Sequence, residues 1–305
     1  MPSLAHEALV GLMKVANRKL AHDDEGMTAE MMAAQIRPRH FAPPRSLDRH
    51  VSLQLQRDHG WRVYEMAPRG AALPKHLVVY FHGGGYVTEI DAAHWRVCRR
   101  ISTLVPARVV VPIYPLAPGA TAVTTVPTGA DIVQDLLGQT GDEGLVTLMG
   151  DSAGGGLAVA VAQELRDRQA GAPRLVLIAP WLDVTMTYES LDEVGTRDPM
   201  LSIARLRRGG ELYAGELDLK DPRVSPIYGE LRGLGPITVL VGTRDLLLHD
   251  SRRLRDLAEA HGIEVTYHEE QDLIHVWPIL PLPEARRARA AIVGSIRSPR
   301  LTGRP

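Results

Sequence analysis

The sequence predicts a mostly parallel α/β sheet of eight strands with helices on both faces, and three observations carry that prediction. Leu77–Phe81, Arg108–Ile113, Leu145–Met149, Leu175–Ala179 and Ile237–Val241 are apolar runs of strand length. Unbroken apolar runs mark strands covered on both sides. Helix-length segments alternate with them: Ala92–Val105, Pro127–Leu137, Ala153–Gln169 and Ser251–His261. Alternating β and α units feed a parallel sheet. The third observation is bulk: 305 residues, 45% hydrophobic, with a net charge of −1, describe a large soluble core.

The remaining elements follow in chain order. Leu9, Leu12, Met13, Ala16 and Leu20 recur at helical spacing, which predicts a helix with those residues inward. A short helix is expected over Thr28–Gln35, with Thr28 as its N-cap. The Pro-containing stretch Arg37–Arg45 ends it. His50–Gln56 alternates, with Val51, Leu53 and Leu55 inward, and Trp61–Met66 follows a His59-Gly60 turn. That pattern predicts a hairpin. Ile263–Glu269 is the eighth strand, at a sheet edge where a second copy could pair to form a homodimer. Glu284–Ile296 is a last amphipathic helix, and its Arg286–Arg289 run reads as a solvated face.

About 55 residues separate Pro180 from Ile237, too many for a simple crossover or a bare loop. They hold a helical piece, Ser202–Ala214, between proline turns, and read as an inserted subdomain. The expected division is N-terminal helices 1–47, an α/β core 48–184 and 226–296, an insertion 185–225, and a disordered tail 297–305.

Composition removes several classes. Lys+Arg 35 against Asp+Glu 36 leaves no cationic excess for nucleic acid. One cysteine excludes a disulfide framework, and no His/Cys set has zinc spacing. No apolar run is long enough to span a membrane. Ala8–Val15 is followed by Asn17, Arg18 and Lys19 without a cleavage site, so the cytoplasm is the expected compartment, where a reduced Cys98 fits.

Gly150-Asp151-Ser152-Ala153-Gly154 fits G-x-S-x-G between a predicted strand and a predicted helix. A sharp strand-to-helix turn there lifts the Ser152 hydroxyl off the sheet and sets it at a helix N-terminus. His82-Gly83-Gly84-Gly85-Tyr86 follows a buried strand, and its bare amides suit an oxyanion, with Ala153 as a further donor. A serine nucleophile needs a base and an orienting acid. Of the histidines after Ser152, His268 lies in a strand, and His249 and His261 lie at helix ends. His275 falls in the loop between the last strand and last helix. Asp245 follows the buried strand Ile237–Val241, while Asp250 and Asp272 are the weaker acid candidates. Cys98 and Trp181 read as core, and Met27, Met31 and Met32 as helix packing with some suitability for a lid.

Together these residues resemble the hormone-sensitive-lipase-like family of α/β-hydrolase esterases. The matching stretches are HGGGY at 82–86, YPLAP at 114–118, GDSAGGG at 150–156, APWLDV at 179–184, SPIYGEL at 225–231, VGTRDLLLHDS at 241–251 and LIHVW at 273–277. Pro115 and Gly119 depart from that family, which favours Arg and an acidic residue there. The resemblance implies Ser152 as nucleophile, His275 as base then acid, and Asp245 as orienting acid, with 1–47 and 185–225 as a cap over the catalytic core 48–184 and 226–296. It implies oxyanion donors among Gly83, Gly84, Gly85 and Ala153. Tyr86, Asp151 and Val276 beside these motifs, with Met200 and Leu201 from the insertion, are candidate substrate contacts. The implied activity is hydrolysis of short- to medium-chain carboxylic esters, a small-molecule substrate, with no metal or cofactor expected. Amide, formamide or lactone hydrolysis on the same triad is the alternative, and a non-catalytic small-molecule sensor the more distant one.

Overall fold

A computed structural model of the chain describes residues 2–17, 29, 31–33, 41–70, 74–188, 191, 195 and 197–298. Its sheet comprises β1 (Val51–Asp58), β2 (Trp61–Pro68), β3 (His76–Phe81), β4 (Ala107–Ile113), β5 (Val146–Asp151), β6 (Arg174–Ile178), β7 (Ile237–Gly242) and β8 (Val265–Glu270). The spatial order is β1-β2-β4-β3-β5-β6-β7-β8. The strands from β4 to β8 run parallel, while β1 and β2 pair antiparallel at one edge. The described helices are α1 (Leu4–Asn17), α2 (Ala92–Leu104), α3 (Ala122–Thr140), α4 (Ala153–Asp167), α5 (Ile203–Ala214), α6 (Leu248–Ala260) and α7 (Ala285–Arg297).

The period of two along each strand divides the core. On β3, Leu77, Val79 and Phe81 join one apolar cluster with Val133 of α3 and Leu157 of α4. Val78 and Tyr80 face the other way, with Trp95 of α2 and Ile292 of α7. Both faces are therefore covered, which is why the central strands read as unbroken apolar runs. The β1–β2 turn is made by His59 and Gly60, both at positive φ (43° and 83°), the geometry that suits a two-residue hairpin.

Several expectations need correction. Leu55 is 55% exposed, because β1 is an edge strand along which only Val51 is fully buried. On α1 the inward face carries His6 and Val10, while Leu12 is 69% exposed. α3 begins at Ala122 and carries Pro127 inside it. Proline leaves the carbonyl four residues earlier unpaired, here that of Val123, an exposed residue where water can serve it. β8 starts at Val265, since Ile263 N bonds Ala258 O and closes the end of α6 instead. Arg297 ends α7 and donates to Leu104 O (2.5 Å), whereas 299–305 lie outside the described residues. Leu20, Met27 and half of the expected helix 28–35, its N-cap Thr28 included, also lie outside them. Among the described residues no helix is long and apolar enough to cross a membrane.

Candidate active site

The C-terminal ends of the parallel strands bring the motifs together, as doubly wound sheets do with their sites. β5 passes into α4 through Ser152, whose backbone is strained at φ 52° and ψ −125°. Ser152 N bonds Ile178 O (2.9 Å), and Ser152 O accepts from Gly155, Gly156 and Trp181. The flanking glycines are required by space. A Cβ on Gly150 would overlap Gly154 O, and one on Gly154 would overlap the Phe81 and His82 carbonyls. Ser152 is also the N-cap of α4, where the helix favours developing negative charge.

The glycine run lies at the end of β3. Gly84 sits at φ 116°, a conformation closed to side chains, and its carbonyl accepts from Val87 N and Thr88 N. Gly84 and Gly85 line the same cavity as Ser152. Gly83 does not: its N–H donates to Asp151 Oδ1 (3.1 Å), so this amide is spent on holding the loop and is withdrawn from the expected oxyanion donors. Ala153, fully buried, is the first residue of α4, where a helix leaves its N–H groups without intrahelical partners.

β7 delivers Asp245, and the loop after β8 delivers His275, both buried. His275 Nδ1 lies 3.0 and 2.9 Å from the two Asp245 carboxylate oxygens. An imidazole so held donates through Nδ1 and keeps Nε2 as the available base. Burial opposes protonation of His275, but the Asp245 carboxylate outweighs it, and the pKa stands above the ordinary histidine value. Asp250 is elsewhere: its Oδ2 accepts from Leu182 N (2.7 Å) and Asp183 N (2.9 Å) and fastens the segment after β6. Asp272 lies against Arg244, at 3.8 Å.

A cavity of about 270 Å³ opens over Ser152 and His275. Met200, Leu201 and Val276 line it as expected, with Met31, Leu206 and Ile279. Tyr86 does not. It is buried, with its ring 3.6 Å from that of Tyr213 and also stacked on Trp181, and so it serves the core. Asp151 reaches the cavity wall, but its oxygens are engaged by Tyr80 OH, Gly83 N and His94 Nε2, which leaves it a loop fastener rather than a substrate contact.

Two groups escaped the sequence reading. Asp198 precedes Pro199, in one of the proline turns of the insertion. Its Oδ1 accepts from Met200 N (2.7 Å) and Leu201 N (3.0 Å), and its Oδ2 from Leu246 N (2.8 Å). It thus ties the cavity wall to the residue after Asp245. Burial and then Asp245 push it up to about 6. The other is the pair Asp91 and His94 at the start of α2, which line the cavity beside Asp151. The signal available was an Asp three residues ahead of a His at a helix start, which reads only as a cap.

Residues 78–279 match the family described as alpha/beta hydrolase fold. The chain belongs to the α/β-hydrolase family. An acetyl-hydrolase from Streptomyces hygroscopicus is 36% identical to this hydrolase over 218 residues, 69% of this chain and 72% of that protein. An esterase from Acinetobacter venetianus is 32% identical over 224 residues, 71% of this chain and 73% of the other. Among solved structures, a hormone-sensitive lipase from a metagenome library superposes with a TM-score of 0.81 at 28% identity, covering 95% of this hydrolase and 97% of that chain. The hydrolase is a hormone-sensitive-lipase-like member of the family, as its motifs indicated.

Proposed function

We propose that this carboxylic ester hydrolase is a serine carboxylesterase acting on short- to medium-chain esters, with Ser152, His275 and Asp245 as its triad. The observation that carries the reading is the Asp245 carboxylate bracketing His275 Nδ1 at 2.9 and 3.0 Å beside a cavity that also holds the strained Ser152. Ser152 Oγ attacks the ester carbonyl as His275 Nε2 takes its proton. The Gly84, Gly85 and Ala153 amides hold the oxyanion. Collapse expels the alcohol, which takes the proton from His275, and leaves an acyl-enzyme. Water then attacks, with His275 again as base, and frees the acid.

The cavity, about 270 Å³ and mostly apolar in its wall, falls below the usual range for drug-sized ligands, in keeping with modest acyl chains. The acetyl-hydrolase relative points the same way. Met31 from the N-terminal region and Met200, Leu201 and Leu206 from the insertion bound the cavity, which supports 1–47 and 185–225 as its cap. The outer edge of β8 offers pairing to a second copy, and we place the enzyme as a cytoplasmic homodimer, where the buried free Cys98 stays reduced.

The test is initial rates on p-nitrophenyl esters from acetate to long chains, with matched anilides and a lactone, on wild type and Ser152→Ala. A peak at short or middle esters that disappears in the variant is expected. Ester turnover retained by Ser152→Ala, or anilides or lactones cleaved faster than esters, overturns the reading.

A further inference from the structure

The Asp151 carboxylate is 2% exposed and immediately precedes Ser152. A buried carboxylate without a cation is costly, and one beside a nucleophile would repel the oxyanion that forms there. Its partner comes from α2. His94 Nε2 lies 3.2 Å from Asp151 Oδ2, and His94 Nδ1 lies 2.8 Å from Asp91 Oδ1. Each ring nitrogen faces a carboxylate oxygen. Nε2–H donates to Asp151, and the two carboxylates together favour a second proton, on Nδ1, which makes the ring an imidazolium. Asp91 N also lies 3.0 Å from Nδ1, which gives the ring a second, neutral arrangement as a helix cap.

On its other oxygen Asp151 accepts from Tyr80 OH (2.5 Å) and from Gly83 N (3.1 Å). Gly83 is followed directly by the two glycines that line the cavity. The chain of contacts therefore runs from Asp91 through His94 and Asp151 to the glycine loop. We propose that His94 is a positioning residue: its imidazolium clamps Asp151, which aims the Gly84 and Gly85 amides and is itself screened from the oxyanion. The proposal rests on the esterase reading above and extends it to a residue outside the triad.

The surrounding groups agree. Burial works against charge on His94, but Asp151 and then Asp91 hold it up to about 10. His82, just after β3 and with its ring 6.0 Å away, is pushed down to about 4 by burial and then by His94, so it stays neutral and does not compete. Tyr80 on β3, Cys98 on α2 and Tyr114 after β4 also titrate around Asp151, and burial raises all three, while His275 faces it across the cavity.

The experiment compares wild type, His94→Gln and Asp91→Asn on p-nitrophenyl butyrate, and measures binding of an alkylboronic acid, which mimics the tetrahedral adduct on Ser152. His94→Gln keeps a hydrogen-bond donor without charge. We expect kcat to fall on the order of tenfold, short of the ~10²–10³ lost with a whole oxyanion donor. KM should stay within about twofold and boronate affinity should fall in parallel with kcat. A lower melting temperature with kcat and boronate affinity unchanged makes His94 merely structural and overturns the clamp. If His94→Gln does not fold, Asp91→Asn decides, because the Asp91 side chain is 62% exposed. Losing that carboxylate lowers the His94 pKa, so the alkaline fall in kcat should begin at lower pH; an unmoved limb overturns the clamp. Wild type that neither turns over esters nor binds boronate overturns the esterase reading, and the clamp with it. Wild type and His94→Gln that do both equally overturn the clamp alone.

Discussion

The same chemical change, glycine to alanine, should have opposite signs at two helical positions of this hydrolase. Gly138 lies near the end of α3, exposed, with nothing within 4 Å of where a Cβ would sit. Alanine there gains about 0.5–1 kcal/mol from helix propensity and reduced chain entropy. Gly154 has the same gain available, since it lies in α4. Its Cβ, however, would overlap two main-chain carbonyls, those of Phe81 and His82. Neither neighbour is the flexible end of a side chain, so the end of β3 has to move. Overpacking of this kind costs about 1–3 kcal/mol, and backbone partners put it at the top of that range. The net effect is a loss of about 2 kcal/mol against a gain of under ~1 kcal/mol at Gly138. Denaturant midpoints of the two variants measure this. Because His82 leads into the glycine loop, Gly154→Ala should also lose most ester turnover while Gly138→Ala keeps it. Gly154→Ala as stable and as active as wild type would refute the elbow geometry.

Two further outcomes concern buried aspartates. Asp198 and Asp245 both raise the His275 pKa, so Asp198→Asn should move the acidic limb of kcat/KM to lower pH; a pH-rate profile that stays put or moves up contradicts this. Asp250 is pushed from an ordinary 3.8 up to about 7 by burial. A raised carboxylate contributes stability that is complete below the ordinary value and is lost as pH rises through the folded value. Wild type should therefore lose stability between about pH 4 and 8 that Asp250→Asn does not, as read from urea midpoints across that range; parallel curves would exclude it.

The sheet was legible because burial on both faces writes itself as apolar runs, and the elbow because its flanking glycines are sterically forced. Leu55 was misread since alternation states which residues share a face, not whether anything covers that face. Gly83 and Tyr86 sat within the right motif but were assigned too much. A glycine run gives three amides, and only tertiary contact with Asp151 shows that one is already used. Tyr86 looks like a cavity aromatic until its stack on Tyr213 and Trp181 appears. Asp198 and His94 have local signatures only of a turn and a helix cap. Their partners lie 48 and 57 residues along the chain, at Leu246 and Asp151, and pairing across such distances leaves no periodicity to read.

Four buried aspartates surround the serine and its supports, and their partners explain why they behave differently. Asp151 has a cation, His94, which outweighs burial and holds its carboxyl below the ordinary value. Asp245 has His275, whose charge appears only when it has taken a proton. Asp198 and Asp250 accept only backbone amides by direct hydrogen bonds, and burial wins, to about 6 and about 7. Amide dipoles therefore fasten loops here without offsetting the cost of burying a carboxylate charge, whereas an imidazolium does both. A transient positive charge on His275 suits a base that must give its proton back. A charge favoured on His94 by two carboxylates suits the proposed clamp, which must hold throughout the cycle. The two histidines are both paired with aspartate, and the number of carboxylates facing each ring separates their tasks. His275 meets one, at Nδ1, and leaves Nε2 open, as the proposed base requires; His94 has a carboxylate at each ring nitrogen.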